Sequence, residues 1–185
     1  MYRVKSPAQE GRKIDPLIIT RIKDIFFRYV HKGRFFLPTS DGIIHVFDEN
    51  GKEVAVIKPE YRKQEITPDL ESKFDRFFST DVRFKLNYTR DKSGNRIEFP
   101  DYLPLLRDYR VADGKVYVIS NKRKNGKYES FIFNLGGNVL KKLWLSLVEK
   151  DMIEFYPFTI TGGKIYQLVE NEDEEQWELH VTEIK

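Results

Sequence analysis

The sequence contains no cysteine among its 185 residues. This absence excludes disulfides, thiol nucleophiles, iron–sulfur clusters and cysteine-type zinc sites. The chain also lacks any apolar run of 18 residues or more, so no transmembrane segment is expected. Its start, Met1 to Glu10, has no apolar core of the kind that a secretory signal needs. We therefore expect either a protein that stays inside the cell or a chain that is part of a longer one, and the sequence alone names no compartment.

The chain also lacks a large excess of charge of either sign. The chain has 32 Lys and Arg residues against 29 Asp and Glu residues, a net charge of +3. A nucleic-acid partner is not expected, because such proteins carry a dense one-sided basic field. Aromatic residues make up 14% of the chain, and each buries a large area. A chain of this length should bury about 70% of its unfolded surface without covalent staples.

Motifs of known catalytic chemistry are absent as well. No G-x-S-x-G elbow, phosphate-binding glycine loop or dinucleotide fingerprint occurs. The three histidines, His31, His45 and His180, have no second histidine or carboxylate at ligand spacing. The acidic loop 170–175 lacks the alternating ligands of a calcium loop. We therefore predict no catalytic residue, no metal site and no cofactor.

An internal repeat is the most informative feature that is present. Three segments begin with a turn glycine, continue with a cation and run on as an extended apolar stretch; the glycines are Gly33, Gly114 and Gly163. Each segment is followed by an aromatic-rich stretch, at 43–47, 128–133 and 177–181. Fixed units of this kind indicate a repeat architecture. Turn signals such as Asn50-Gly51 divide the first unit into four short antiparallel strands, which is typical of a propeller blade.

The predicted fold class is all-β. We expect a partial β-propeller of about three four-stranded antiparallel blades, at about residues 25–60, 99–146 and 152–185. Residues 1–24 are predicted to form an N-terminal arm, whose Leu17–Thr20 segment could supply the missing outer strand of the third blade. Together, residues 25–185 form the partial propeller.

Residues 61–98 interrupt this pattern and predict a helical insertion. Thr67 is a suitable N-cap and Pro68 a suitable first helical residue. Phe74, Phe77 and Phe78 continue one apolar stripe. The pattern predicts one α-helix at about 68–82, which either packs on the sheets or serves as a docking element for a partner.

From residue 25 onward the chain resembles the C-terminal half of six-bladed β-propellers of the NHL-like, bacterial lipoprotein-associated kind. The resemblance is carried by the inserted helix and by four segments, Val46–Glu53, Phe99–Pro104, Ala112–Val118 and Phe131–Leu140. It implies the propeller fold and little about activity, since members of this group mostly have no assigned one. Some relatives bind ligands or proteins on the propeller face, a few propellers are lyases or hydrolases, and members are commonly exported.

The function predicted from the sequence is that of a non-catalytic binding or scaffold module. The alternatives are a hydrolase or lyase with its site at the mouth of a completed propeller, and a structural remnant without a ligand. A carbohydrate or protein ligand is expected at an aromatic set, which consists of Trp144, Tyr156, Phe158 and Trp177. Contact with an anionic or other partner is expected at a basic loop, which carries Lys122, Arg123, Lys124 and Lys127. The competing interpretations are core aromatics and a solvated hairpin tip.

In half a propeller, one face of each end blade is left without a neighbouring blade. Each blade packs its two faces on its neighbours, so the end blades of a three-blade piece expose apolar sheet. We expect a homo-oligomer, in which two copies close a six-bladed ring by two-fold symmetry. The alternative is that further propeller blades come from elsewhere, with this chain a fragment.

Overall fold

The computed structural model describes residues 13–17 and 29–185. The described residues divide into two compact units, a smaller one with 13–17 and Glu65–Tyr102 and a larger one with 29–64 and Leu103–Lys185. The fold is mostly β, in agreement with the predicted class, with antiparallel sheets and two helices in this part of the chain. None of these helices is long and apolar enough to cross a membrane.

The elements follow one another in a simple order. They are β1 (Lys13–Ile14), β2 (Tyr29–His31), β3 (Arg34–Pro38), β4 (Ile44–Phe47), β5 (Glu53–Ile57), α1 (Pro68–Thr80), α2 (Lys85–Gly94), β6 (Arg96–Ile97), β7 (Leu106–Ala112), β8 (Lys115–Lys124), β9 (Lys127–Asn134), β10 (Val139–Ser146), β11 (Phe158–Thr161), β12 (Lys164–Asn171) and β13 (Gln176–Glu183). The larger unit contains three antiparallel meanders: the first sheet is β2 to β5, the second sheet β7 to β10 and the third sheet β11 to β13.

The three repeat glycines occupy the same place in the three sheets. Each lies in the tight turn between the first and second strands, with φ of +69° at Gly33, Gly114 and Gly163. The residue before each glycine also has positive φ, at Lys32, Asp113 and Gly162. Two successive residues of positive φ are the geometry that matches the twist of a hairpin, and glycine adopts it without a Cβ penalty. The repeated sequence signal therefore marks the same hairpin three times.

The second sheet lies between the other two and is buried on both faces. Because side chains alternate along a strand, Val116 and Val118 face the first sheet while Tyr117 and Ile119 face the third. The core between the first and second sheets contains ten buried residues, Phe36, Ile44, Val46, Ile57, Leu106, Tyr109, Val116, Val118, Phe131 and Phe133. The core between the second and third sheets contains eight, Tyr117, Ile119, Tyr128, Ile132, Leu145, Leu147, Ile160 and Ile165.

Neighbouring sheets contact each other through their first strands. Strand β7 contacts β2 on one side and β11 on the other. The Tyr29 and Tyr109 rings meet edge to face at 5.0 Å between centroids, and the Tyr109 hydroxyl donates to the Phe36 carbonyl at 3.0 Å. A second close approach joins the β9–β10 turn to the first sheet, since a Cβ at Gly137 would lie 2.5 Å from the Val56 carbonyl oxygen.

The smaller unit is built on the predicted helix. Helix α1 begins after Thr67, whose Oγ1 accepts a hydrogen bond from the Leu70 N–H at 3.4 Å. Phe74 and Phe78 are buried on its inner side. Strand β1 pairs in parallel with β6, and both belong to this unit.

One sequence prediction about elements needs correction. The helix predicted at about 68–82 is confirmed as α1, but the prediction of a single helix is wrong, because a second helix, α2, covers residues that the sequence assigned to a turn. Only Tyr88 is buried in α2, so its sequence has no helical repeat of apolar residues from which the helix could be predicted. The third sheet has three strands in the described residues, in agreement with the three strands that the sequence indicates for this unit. The strand predicted at Leu17–Thr20 lies outside the described residues except for Leu17, a buried turn residue.

Candidate functional site

The outer side of the third sheet is an apolar surface that the described residues leave uncovered. Side chains that alternate with the core positions of β12 and β13 point away from the second sheet. Tyr166 pairs with Val181 and Leu168 with Leu179 across the two strands. We call this surface the outward face; its members are Tyr156, Tyr166, Leu168, Trp177, Leu179 and Val181. Four of them, Leu168, Trp177, Leu179 and Val181, are between 46% and 60% exposed.

The predicted aromatic set is divided by the structure. Tyr156 and Trp177 come together on the outward face, ring edge to ring face, with centroids 6.1 Å apart. Phe158 packs instead against the core between the second and third sheets, and the Arg110 guanidinium lies 4.2 Å from its ring centroid. Trp144 lies on the second sheet, opposite Glu129 in register. Two of the four predicted residues therefore share a surface, whereas Phe158 packs against the core and Trp144 lies on another sheet.

The predicted basic loop is the β8–β9 hairpin. Arg123 Nη1 donates to Glu149 Oε2 at 2.7 Å, and its guanidinium stacks on Tyr128 at 5.0 Å from the ring centroid. Arg123 thus shares the Glu149 carboxylate with Arg107 within the larger unit. Lys124 and Lys127 face each other across the turn and are exposed. In the part of the chain that the structure describes, no ion pair joins this loop to the acidic loop 170–175.

Glu149 organises a polar cluster that the sequence did not predict. Its Oε1 accepts a hydrogen bond from Arg107 Nη2 at 3.0 Å and another from the Tyr128 hydroxyl. Arg107 is almost fully buried, and its Nη1 also donates to the Met152 carbonyl at 2.9 Å. Burial and the Glu149 hydrogen bond both raise the pKa of Tyr128. No local sequence pattern predicts such a cluster, because its members lie far apart in the chain.

A second buried polar cluster lies on the first strands. Arg110 Nη1 donates to Asp108 Oδ1 at 2.5 Å and to the Tyr29 hydroxyl at 2.8 Å. Burial raises the pKa of Asp108 to about 6, although the positive charge of Arg110 acts in the opposite direction. Burial likewise raises the pKa of Tyr29. The groups satisfy one another, so the cluster is a structural clamp between first strands.

The histidines do not form a shared site. His45 Nδ1 lies 2.5 Å from Glu53 Oε2 in the first sheet, and His180 Nε2 lies 2.8 Å from Glu178 Oε2 in the third. Each has one carboxylate neighbour, which the sequence spacing did not indicate. Within residues 13–17 and 29–185, no group of three or more metal-ligating side chains comes together.

The structure also contains a cavity in the smaller unit and a cavity in the larger unit. The cavity of the smaller unit, about 540 Å³, is lined by residues that include Asp75, Lys92 and Phe99. The cavity of the larger unit, about 530 Å³, is lined by residues that include Asp41, Lys58 and Tyr61. Neither cavity contains a residue of the predicted aromatic set or basic loop.

Comparison with known proteins adds no family to this description. Neither the protein-family models nor the curated proteins contain a match to the chain. A functional argument therefore starts from the geometry of the three sheets and from the outward face.

Proposed function

We propose that this protein is a non-catalytic binding or scaffold module of the β-propeller type, of the six-bladed NHL-like kind that its sequence resembles. The observation that carries the proposal is the outward face, where a sheet of the repeat unit leaves an apolar and aromatic surface uncovered. Contiguous exposed apolar surface marks an interaction site more often than it marks chance exposure.

The packing of the sheets supports a radial arrangement. In a propeller, four-stranded sheets surround a central axis, so their first strands crowd together while their last strands diverge. Contacts of β7 with β2 and β11 are the main strand contacts between sheets in the described residues. The Asp108–Arg110–Tyr29 cluster adds polar bonds at the same place. These contacts favour radial sheets over a parallel stack.

The chemistry of the surfaces favours binding over catalysis. Charged groups of both buried clusters are committed to each other, as the bonds of Glu149 to Arg107 and of Asp108 to Arg110 show. The aromatic pair, Tyr156 and Trp177, offers ring faces and edges on the outward face, where Trp177 is 56% exposed. Such rings suit the apolar parts of a protein surface or the faces of a sugar. A protein or carbohydrate ligand is the class that this surface fits.

Distances between spin labels test the propeller arrangement. Since the chain has no cysteine, two introduced cysteines are the sole labelling sites. One pair, Val30→Cys with Thr159→Cys, joins the first strands of the first and third sheets; a second pair, Val54→Cys with Glu183→Cys, joins their outer strands. Labelled protein is diluted with unlabelled chain so that only distances within one chain are measured. The radial arrangement predicts a clearly longer distance for the outer pair, and equal distances would contradict it.

A further inference from the structure

The repeat shows what ought to cover the outward face. The third residue after the turn glycine is Phe36 in the first sheet and Tyr117 in the second, and both are buried under the sheet that follows. Its equivalent in the third sheet is Tyr166, on the outward face. The paired residues of the next strand behave alike, since Val46 and Ile132 are buried whereas their equivalent Val181 is half exposed. The outward face thus repeats a surface that receives another sheet twice in the same chain.

The opposite side of the first sheet is the complementary surface. The second residue after the turn glycine is Val116 in the second sheet and Ile165 in the third, and both are buried against the preceding sheet. Their equivalent in the first sheet is Phe35, which is exposed. We call this surface the open face; its exposed apolar members, Val30, Phe35, Val54 and Val56, are between 40% and 65% exposed.

We propose that the outward face packs on the open face of a second copy of this chain, and that two such contacts close a ring of six sheets. This inference rests on the proposed function. One chain carries both halves of a sheet-to-sheet contact that it already makes twice internally. Propellers close with about four to eight sheets, and six is the single multiple of three in that range. A two-fold axis therefore satisfies both faces of both copies and leaves no free end.

The area to be covered is that of a stable dimer. Strands about 4.8 Å apart that rise about 3.3 Å per residue give each strand residue a plane of roughly 16 Å². The 17 strand residues of the first sheet and the 20 of the third then cover roughly 270 and 320 Å². A closed pair covers two faces of each kind, roughly 1,200 Å² in all, at the lower end of the range of about 1,200 to 2,000 Å² of specific interfaces. His45 and Glu53 lie at the open face, where His45 Nδ1 is 2.5 Å from Glu53 Oε2, so each polar side chain keeps a partner within its own sheet.

Sedimentation of point variants tests the proposal. The wild-type chain is expected at twice the 22.0 kDa of one chain. Leu179→Glu on the outward face and Phe35→Glu on the open face each place a carboxylate in the contact, and each should weaken the dimer by at least about a hundredfold. Val82→Glu is the matched control, because Val82 is an apolar residue of the smaller unit that is 92% exposed. It should leave the dimer intact, and circular dichroism should show all three variants folded.

Mixing the two monomeric variants identifies the contact. A heterodimer of Leu179→Glu and Phe35→Glu keeps one contact with both faces unaltered, so the mixture should regain dimer that neither variant forms alone. Dimerisation of Phe35→Glu at wild-type strength would overturn the proposal, because the third sheet would then pair with itself. A wild-type mass of 22.0 kDa at all concentrations would overturn it too. In that case unequal spin-label distances would still support the proposed propeller module. Equal distances would contradict the propeller module as well as the closed ring.

Discussion

Replacing Asp108 by asparagine should change how stability depends on pH. Asp108 is 12% exposed, on a first strand, and its carboxylate bonds to Arg110. Burial raises its pKa from 3.8 to about 6. The folded protein therefore holds a proton on this carboxyl more tightly than the unfolded chain does.

The sign follows from proton linkage. Below pH 3.8 the carboxyl is protonated in both states, and the stability that the raised pKa represents is fully present. As the pH rises through about 6, the folded protein takes on a buried charge and this stability is lost. A shift of about two units, at about 1.4 kcal/mol per unit, amounts to about 3 kcal/mol. The amide of Asp108→Asn has nearly the shape of the carboxyl and does not titrate, so the variant should not lose this amount.

The assay is urea unfolding of both proteins at a series of pH values, read by tryptophan fluorescence. The series runs from roughly pH 3.5 to 7.5, the span over which the linked proton is released. The unfolding free energy of the wild type minus that of Asp108→Asn should fall by about 3 kcal/mol across the series. Asp173→Asn, in the exposed acidic loop, is the matched control and should give a flat difference. A flat or rising difference for Asp108→Asn would refute the reasoning, since it would mean that Arg110 holds the carboxyl ionised in the folded state.

Two further substitutions test the contacts between sheets. Gly137→Ala should destabilise the protein by at least about 2 kcal/mol more than Gly126→Ala: both glycines have positive φ, but a Cβ at 137 meets the Val56 carbonyl oxygen at 2.5 Å and one at 126 meets open space. Equal costs in chemical denaturation would show that the β9–β10 turn does not press on the first sheet. Glu149→Gln should cost about 3 kcal/mol, because it leaves the buried Arg107 without its carboxylate. A loss below about 1 kcal/mol would rank this pair with ordinary surface ion pairs.

The hairpins were predictable because their signal is local. Gly33, Gly114 and Gly163 adopt positive φ, which few other residues do at low cost, so their spacing marked three equivalent turns. Helix α1 was predictable for the same reason, since its cap and its apolar stripe lie within a few residues of each other. Helix α2 was not, because its sequence carries no apolar period and its burial rests on Tyr88 alone.

The candidate site was predictable only in part. Period-two aromatics indicate that a strand has an apolar side, but they do not say which sheet covers it. Trp177 is exposed and Phe158 is packed, although both lie in strands of the same sheet. The partners of Arg107 and Asp108 depend on the register and stacking of whole sheets, which no local pattern encodes. The internal repeat predicted the equivalent hairpins, whereas the resemblance to six-bladed propellers and the closed ring stay proposals.

The fluorescence of Trp177 tests the central claim most directly. The variant Trp144→Phe leaves Trp177 as the single tryptophan, on the outward face and 56% exposed in the isolated chain. If a sheet of a second copy covers this face, its emission should shift to shorter wavelength and its quenching by acrylamide should fall as the protein concentration rises. Emission and quenching typical of a solvent-exposed indole at every concentration would contradict the account.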